Sequence, residues 1–314
     1  MPRVSIGLPV YNGENFLADA IGSVLTQSYG DLELVICDNA STDRTETIAR
    51  DFAGQDTRVR YFRNERNLGA APNYNRTWHE SRGSLFKWLS HDDRLTPTYV
   101  EATVAALDSA PDAVLCNSVV DYIDERGQVF ATYDSGLAAA SGADPVERFA
   151  AMVLRSHSCV DFFGMTRRSA MEDSLLHASF HGADRAYLAQ MALRGRLIQL
   201  PGHLVQMREH RQRYTRQQAD AKARQLWHDS SGAHGVAMPT LNLYREYARL
   251  VRSEALDPRV RRGCYGVLAR WWLVNWNSLR VGTDAVSLIA PGVVGRAERL
   301  KARLFGSAPG HFAG

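Results

Sequence analysis

Lysine is nearly missing from this chain. Of its 37 basic residues only Lys87, Lys222 and Lys301 are lysine, and the rest are arginine. A GC-rich coding sequence gives that bias, and arginine forks also suit phosphates and carboxylates; composition leaves both readings open. Cysteine is sparse as well. Cys37, Cys116, Cys159 and Cys264 stand far apart with no CxxC pair, which speaks against a thiolate cluster or disulfide framework and for reduced core thiols. No apolar run approaches the roughly 18–20 residues that span a bilayer; the richest, Leu268 to Val281, is interrupted by Arg270, Asn275, Asn277 and Arg280. The N-terminus has no charged segment followed by a long apolar stretch, so no signal peptide and a cytoplasmic location are expected. A net charge of +3 is too small to argue for nucleic acid as a partner.

What is present fits a soluble α/β protein. At 314 residues, 45% hydrophobic and 23% charged, the chain has room for one sizeable domain and a smaller accessory region. Apolar runs at Val4–Val10, Leu32–Cys37, Val59–Phe62, Leu85–Leu89 and Ala113–Val120 read as strands. Between them Glu14–Ser28, a segment capped by Ser41-Thr42-Asp43 and running to Phe52, Ala70–Ser81 and Thr96–Ser109 read as helices. That alternation predicts right-handed βαβ units and a mostly parallel sheet. Ligands bind at the carboxyl ends of such strands, where Pro9-Val10-Tyr11-Asn12, Asp38-Asn39, Asn64 and Asp92-Asp93 stand. Further on, Asp124–Gly127 reads as a hairpin turn, Pro145–Leu154 as a helix and Val160–Met165 as a strand. Asp184–Arg194 reads as a helix, Leu197–Met207 as an extended segment, and the chain beyond about 217 as arginine-rich helix.

The cluster Ser90-His91-Asp92-Asp93 carries the most chemistry. Carboxylates at a strand end offer hard oxygen ligands, and Mg²⁺ takes one or two of these plus substrate phosphates. The plain alternative is a solvated acidic turn opening the next helix. Considered alone the doublet favours the turn; placed after an apolar strand it is evenly balanced between the two.

Val4–Val10 with Tyr11-Asn12-Gly13-Glu14, then Ile36–Asp43, resemble the opening of family-2 glycosyltransferases. Asn67-Leu68-Gly69, Asn73-Tyr74-Asn75 and Phe86–Asp93 resemble that family's middle. Phe163–Ala170, Gly182-Ala183-Asp184-Arg185 and Arg208-Glu209-His210 resemble its later landmarks, and the ordered set covers about residues 4–213. The resemblance implies a GT-A fold, a Rossmann-like mostly parallel sheet flanked by helices. A catalytic domain would span 1–215, its nucleotide-sugar half about 1–120 and acceptor half about 121–215, with a helical region over 216–314. It implies inverting transfer of a sugar from a nucleoside-diphosphate donor, UDP-sugar favoured, to a hydroxyl on a saccharide, lipid-linked or small-molecule acceptor, as in polysaccharide or natural-product biosynthesis.

By the same resemblance Pro9, Tyr11, Asn12, Glu14, Asp38, Asn67, Asn73, His91 and Asp92 fall at nucleotide-binding positions. Asp92, Asp93 and His210 fall at those for a divalent metal (Mn²⁺ or Mg²⁺). Arg167, Arg168 and Arg208 would face the acceptor or the phosphates, and His157, Asp161 and His181 the acceptor. Asp184 falls on the catalytic base; capping a helix is its plain alternative. His210 is equally readable as a surface histidine. Two departures stand out: Ser90 where many members have the first Asp of Asp-x-Asp, and Ala183 where a Glu-Asp pair is usual. A degenerate transferase that binds without turnover is therefore one rival. A sugar-phosphate nucleotidyltransferase is another, although no basic glycine-rich loop follows the first strand. A dinucleotide-dependent oxidoreductase lacks its GxGxxG.

Between Arg245 and Arg303 twelve Lys or Arg stand against five Asp or Glu, among Trp271, Trp272 and Trp276. That fits an interfacial helix at anionic lipid or a helical unit packed on the catalytic domain. The helical spacing of Leu268, Trp272, Trp276 and Leu279 favours packing. A peripheral membrane contact and a second copy of the chain stand as further candidate partners.

Overall fold

The computed structural model describes residues 1–210 and 238–289. The amino half alternates β1 (Val4–Val10), α1 (Leu17–Leu25), β2 (Leu32–Asp38), α2 (Thr45–Gln55), β3 (Val59–Arg63), α3 (Ala70–Glu80) and β4 (Leu85–Trp88). A two-residue β5 (Arg94–Leu95) and α4 (Tyr99–Ser109) lead to the long β6 (Ala113–Ile123), which turns at Asp124–Gly127 into β7 (Val129–Tyr133). Then come α5 (Pro145–Leu154), β8 (Met165–Arg167), α6 (Arg168–Met171), α7 (Ala183–Arg194) and β9 (Arg196–Arg208). Three helices follow: α8 (Pro239–Ser253), α9 (Pro258–Trp271) and α10 (Asn277–Ile289).

One sheet runs through both halves in the order β3-β2-β1-β4-β8-β6-β9-β5, with β7 on β6. The pairs among β1 to β4 are parallel, as the βαβ rhythm predicts, and β6 pairs β9 in parallel. Short β8 enters antiparallel between β4 and β6, so β6 runs in the same direction as β4. The carboxyl ends of β1, β2, β3, β4 and β6 therefore share one edge.

β1 and β2 are buried throughout because helices cover both faces of the sheet. Their polar positions are satisfied internally: Ser5 Oγ donates to Glu33 Oε1 at 2.6 Å. Pro9 ends the β1–β4 ladder. Gly7 accepts from Leu89 N, and two residues on, Pro9 has no N–H to offer the same side. The chain after β4 is thus released to turn at Ser90–Asp93.

Side chains of β4 alternate between two cores. Leu85 and Leu89 pack with α1 and α4, while Phe86 and Trp88 pack with α5, α7, α8 and α9. Val160–Phe163 is a 3-10 turn, not the expected strand. It lets Phe162 stack flat on Trp88 at 4.6 Å while Val160 joins the other core, a divergence that a strand does not give to residues two apart.

The carboxy-terminal region is helical where described. Tyr247, Leu250, Cys264, Leu268 and Trp271 join the core built by α5 and α7, and Arg194 pairs with Glu254 at 2.9 Å. The expected face of Leu268, Trp272, Trp276 and Leu279 does not hold together. Asn275 and Trp276 take left-handed backbone (φ 53° and 57°), which breaks the helix and resets its phase. Leu268 is buried, whereas Trp276 and Leu279 point outward.

Candidate functional site

The loop after β1 is laced to the loop after β2. Asn12 N donates to Ser41 Oγ (2.9 Å), Thr42 N to Asn12 Oδ1 (2.8 Å) and Gly13 N to Thr45 Oγ1 (2.8 Å). Glu14 N donates to Asp43 Oδ2 (3.0 Å), and Arg44 N to Glu14 Oε2 (3.1 Å). Asn12 and Glu14 are thus builders of the wall, and the left-handed φ of 50° at Asn12 suits an asparagine. Tyr11 projects beside them with its ring half exposed. Gly13 is needed for close approach: a Cβ there would lie 2.6 Å from His91 Cδ2.

Asp38 lies at the floor, fully buried. It accepts from Ser41 N (2.8 Å), Tyr61 Oη (2.7 Å) and Arg63 Nη1 (2.5 Å). Any base contact by Asp38 has to compete with these three donors. Beneath, an asparagine ladder ties three strand ends together. Asn64 Nδ2 donates to Asn39 Oδ1 and to Asn73 Oδ1, both at 2.9 Å, and Asn73 Nδ2 donates to Cys37 O at 2.8 Å. Asn67 Oδ1 accepts from Asn39 Nδ2 and Gly69 N. Asn73 is buried and engaged on both sides, so it braces the pocket instead of lining it.

At the end of β4 the acidic doublet divides. Asp92 Oδ2 meets His210 Nε2 at 3.0 Å, and the His210 ring stands edge-on to Phe16 at 5.0 Å. The fold thus brings together two residues separated by most of the domain. Asp93 turns the other way and accepts from Arg208 N at 2.9 Å. Its expected place beside the metal is not what this geometry favours, because its carboxylate closes the β4 turn onto β9.

Arg208 is likewise inward. Its guanidinium is 1% exposed and lies 4.4 Å over the Phe16 ring. It donates to the carbonyls of Asp92, Asp124 and Glu125 and to Asp19. These bonds pin the β6–β7 hairpin to the Asp92 turn and engage four of the five guanidinium N–H donors, so the side chain is built as a clamp and not as the expected phosphate contact.

Arg167 and Arg168 sit at the opposite sheet edge. Arg167 pairs in register with Leu85, the first residue of β4, and donates to the carbonyls of Ala113, Leu107 and Ala110. Arg168 bonds Ser81 and covers the Trp78 ring. Their expected placement on the acceptor or phosphate side is corrected: an antiparallel β8 carries them away from that edge.

Asp184 opens α7, half-buried, with Oδ1 accepting from Arg185 N at 2.9 Å. The Cys159 thiol bonds it, and burial followed by the Asp184 charge holds that thiol well above its ordinary pKa, hence protonated. Arg185 donates to His157 O. His157 itself is buried, with Nε2 3.1 Å from Met152 O, while His181 is exposed. Asp161 lies nearby in full burial, which pushes its carboxyl up to about 6.

Lys87 was not foreseen as a site neighbour, since one lysine in an apolar strand reads as an irregularity. It is buried under the doublet, its Nζ 3.1 Å from Trp88 O and 4.8 Å over the Tyr99 ring. Burial lowers its ammonium to about 7, opposed by Asp93. With a depressed folded pKa, the unfolded chain holds more protons between about pH 7 and its ordinary 10.5. Stability attributable to this group therefore falls as pH drops through that window. Lys87→Met is expected to raise stability at pH 7 by about 1–4 kcal/mol, with a smaller gain at pH 10. Urea midpoints at the two pH values check this; an equal gain at both would remove the titration account.

Among the described residues no group of three or more His, Cys, Asp or Glu side chains converges on one point. The Asp92–His210 pair nonetheless sets one oxygen and one nitrogen together at the carboxyl edge, both largely buried. Two protein donors fit a cation whose other positions go to diphosphate and water.

A family model for glycosyl transferase family 2 matches residues 5–175. The chain belongs to that family. An uncharacterised glycosyltransferase of Rickettsia typhi, RT0329, is 37% identical over 107 residues, 34% of this chain and 32% of the relative. The putative glycosyltransferase EpsE of Bacillus subtilis is 36% identical over 108 residues, 34% of this chain and 39% of the relative. The chain thus spans about a third of the length of these curated relatives. Among solved structures, S. aureus TarS 1-349 in complex with UDP-GlcNAc is similar with a TM-score of 0.62 at 12% identity, over 86% of this chain and 72% of that one. The mannosyltransferase PcManGT of Pyrobaculum calidifontis, in complex with GDP-Man and Mn²⁺, has a TM-score of 0.55 at 16% identity, over 97% and 83%. These likenesses show the fold, GT-A, as expected.

Proposed function

We propose that this family-2 member is an inverting glycosyltransferase using a nucleoside-diphosphate sugar, with a UDP-sugar as the first candidate. The observation that carries the reading is the Asp92–His210 pair, 3.0 Å apart at the carboxyl edge and beside Phe16, which follows the laced loop after β1. Tyr11 offers a half-exposed ring for a pyrimidine, and the Asn12–Glu14 wall sets the ribose. Asp92 and His210 would hold Mn²⁺ or Mg²⁺, which when bound neutralises charge on the departing diphosphate. Asp184 takes the proton from an acceptor hydroxyl. The acceptor oxygen bonds to the anomeric carbon as the bond to the phosphate oxygen breaks, and attack from the opposite face inverts the centre.

Calorimetry with UDP, GDP, dTDP and CDP, with and without Mn²⁺, tests the donor half. UDP binding tightened by Mn²⁺ is the expected result; no nucleotide binding under any condition would end the reading. Asp92→Ala is expected to weaken Mn²⁺-dependent nucleotide binding at least about 10–100-fold, the scale for disturbing a metal's supporting groups. Metal-free binding should hardly change. A variant with wild-type Mn²⁺ dependence would count against the pair. Binding of a sugar nucleotide without turnover on any acceptor would favour the degenerate-transferase alternative.

A further inference from the structure

The α10 helix exposes large apolar side chains while two of its polar side chains bond inward. Facing the protein it places Val281, packed on the core, Asn277, whose Nδ2 donates to Trp271 O at 2.9 Å, and Asp284, which accepts from Thr240 N at 2.9 Å. Facing outward are Trp276 (79% exposed), Leu279 (61%) and Val286 (47%), with Leu273 (87%) on the preceding turn. Within α10, positions 279, 283 and 286 fall within roughly 60° at a helical period, and Trp276 stands exposed on the turn just before them. Large apolar side chains exposed together at one surface mark a contact surface.

The turn before it is held in that pose. Asn275 and Trp276 are both left-handed without being glycine, an unfavourable backbone that persists only when its surroundings fix it. Asn275 Nδ2 donates to Leu154 O at 2.8 Å, fixing the turn to the end of α5. From there the short segment 155–159 leads to His157 and Cys159, beside Asp184. The exposed tryptophan is therefore braced on the acceptor half.

Charge identifies the occupant. Arg259, Arg262 and Arg270 are exposed with Tyr265 on α9, and Arg280 stands beside the apolar stripe on α10. The nearby acids are mostly engaged: Asp284 faces inward and Glu254 pairs with Arg194, leaving exposed Asp257, whose carboxylate caps Arg259 N. Aromatic and aliphatic side chains framed by arginine fit the interface of an anionic bilayer. No described helix is long and apolar enough to cross it, so the contact is one of lying on the surface.

We propose that the outer faces of α9 and α10 dock this protein on an anionic phospholipid surface, with Trp276, Leu273 and Leu279 inserted and Arg270 and Arg280 at the headgroups. The test is flotation of the full chain with vesicles of phosphatidylcholine alone and vesicles containing phosphatidylglycerol. Binding to the anionic vesicles only is expected. Each arginine near such a surface multiplies partitioning about fivefold, so Arg270→Gln with Arg280→Gln should lower it about 25-fold. Trp276→Ala with Leu279→Ala should abolish it, and because these side chains are exposed the melting temperature should stay put. Acyl-chain-brominated phosphatidylglycerol should quench tryptophan fluorescence in the wild type, with most of that quenching lost in Trp276→Phe. Failure to float with anionic vesicles at low salt overturns the proposal, as does flotation indifferent to the Trp276/Leu279 variant. Self-association that this variant removes, without flotation, assigns the face to a second copy and overturns it equally.

Discussion

Asp184→Asn is expected to lower the rate of sugar transfer by about 10²–10⁴-fold, the range for losing a positioned proton acceptor. Nucleotide binding should be spared. The substitution is nearly isosteric and keeps an oxygen for Arg185 N, which Asp184 Oδ1 holds at 2.9 Å; what it removes is basicity. The plain alternative, an acid that merely suits a helix N-terminus, makes a different forecast. Under it the change costs about 0.3–1 kcal/mol of stability and leaves the rate alone. Single-turnover transfer, UDP calorimetry and a thermal melt on one preparation separate the two. Full residual activity would refute the assignment. Loss of binding together with the rate would show that Asp184 shapes the donor pocket.

Asp184 is half-buried beside a protonated Cys159 thiol and near the Arg185 guanidinium. Asp161, a short way along the chain, is fully buried, and its carboxyl is pushed up to about 6. Two carboxylates in one region thus have unlike surroundings.

The strands were legible because burial on both faces demands continuous apolar runs, and Val4–Val10 or Ala113 onward admit no other use. The polar strand ends were legible for the complementary reason: Asp38, Asp92 and the Tyr11–Glu14 loop interrupt those runs where a parallel sheet exposes its edge. What sequence spacing could not supply was the partner of each polar group. Asp93 and Asp92 are neighbours of one type, yet the first is claimed by Arg208 N and the second by His210, both more than 110 residues away. Asn73 is a bracing residue because Cys37 O and Asn64 happen to flank it. Arg167 leaves the site edge because β8 runs antiparallel, a direction three residues do not encode. The phase of the last helices was lost at Asn275 and Trp276, where neither glycine nor proline announces the break.

Arg208→Met is expected to destabilise the fold by about 2–4 kcal/mol and to impair the Asp92 turn in molecules that remain folded. The methionine fills much of the volume and keeps an apolar contact with Phe16, so the loss is polar. Three carbonyls, of Asp92, Asp124 and Glu125, lose their donor, and each buried acceptor left unmade costs about 1–3 kcal/mol, less where water reaches it. Asp19 contributes little, because it is 55% exposed and water replaces the pairing. The contact over the Phe16 ring at 4.4 Å adds a smaller share. Arg208→Lys should rescue poorly, since an ammonium point charge does not reach four acceptors spread around a planar fork. Urea midpoints read the stability, and UDP calorimetry with Mn²⁺ reads the site. A stable variant with weakened nucleotide binding would return Arg208 to the diphosphate. A large loss of stability shared by Lys and Met makes it the clamp that holds β6, β7 and the Asp92 turn in one piece.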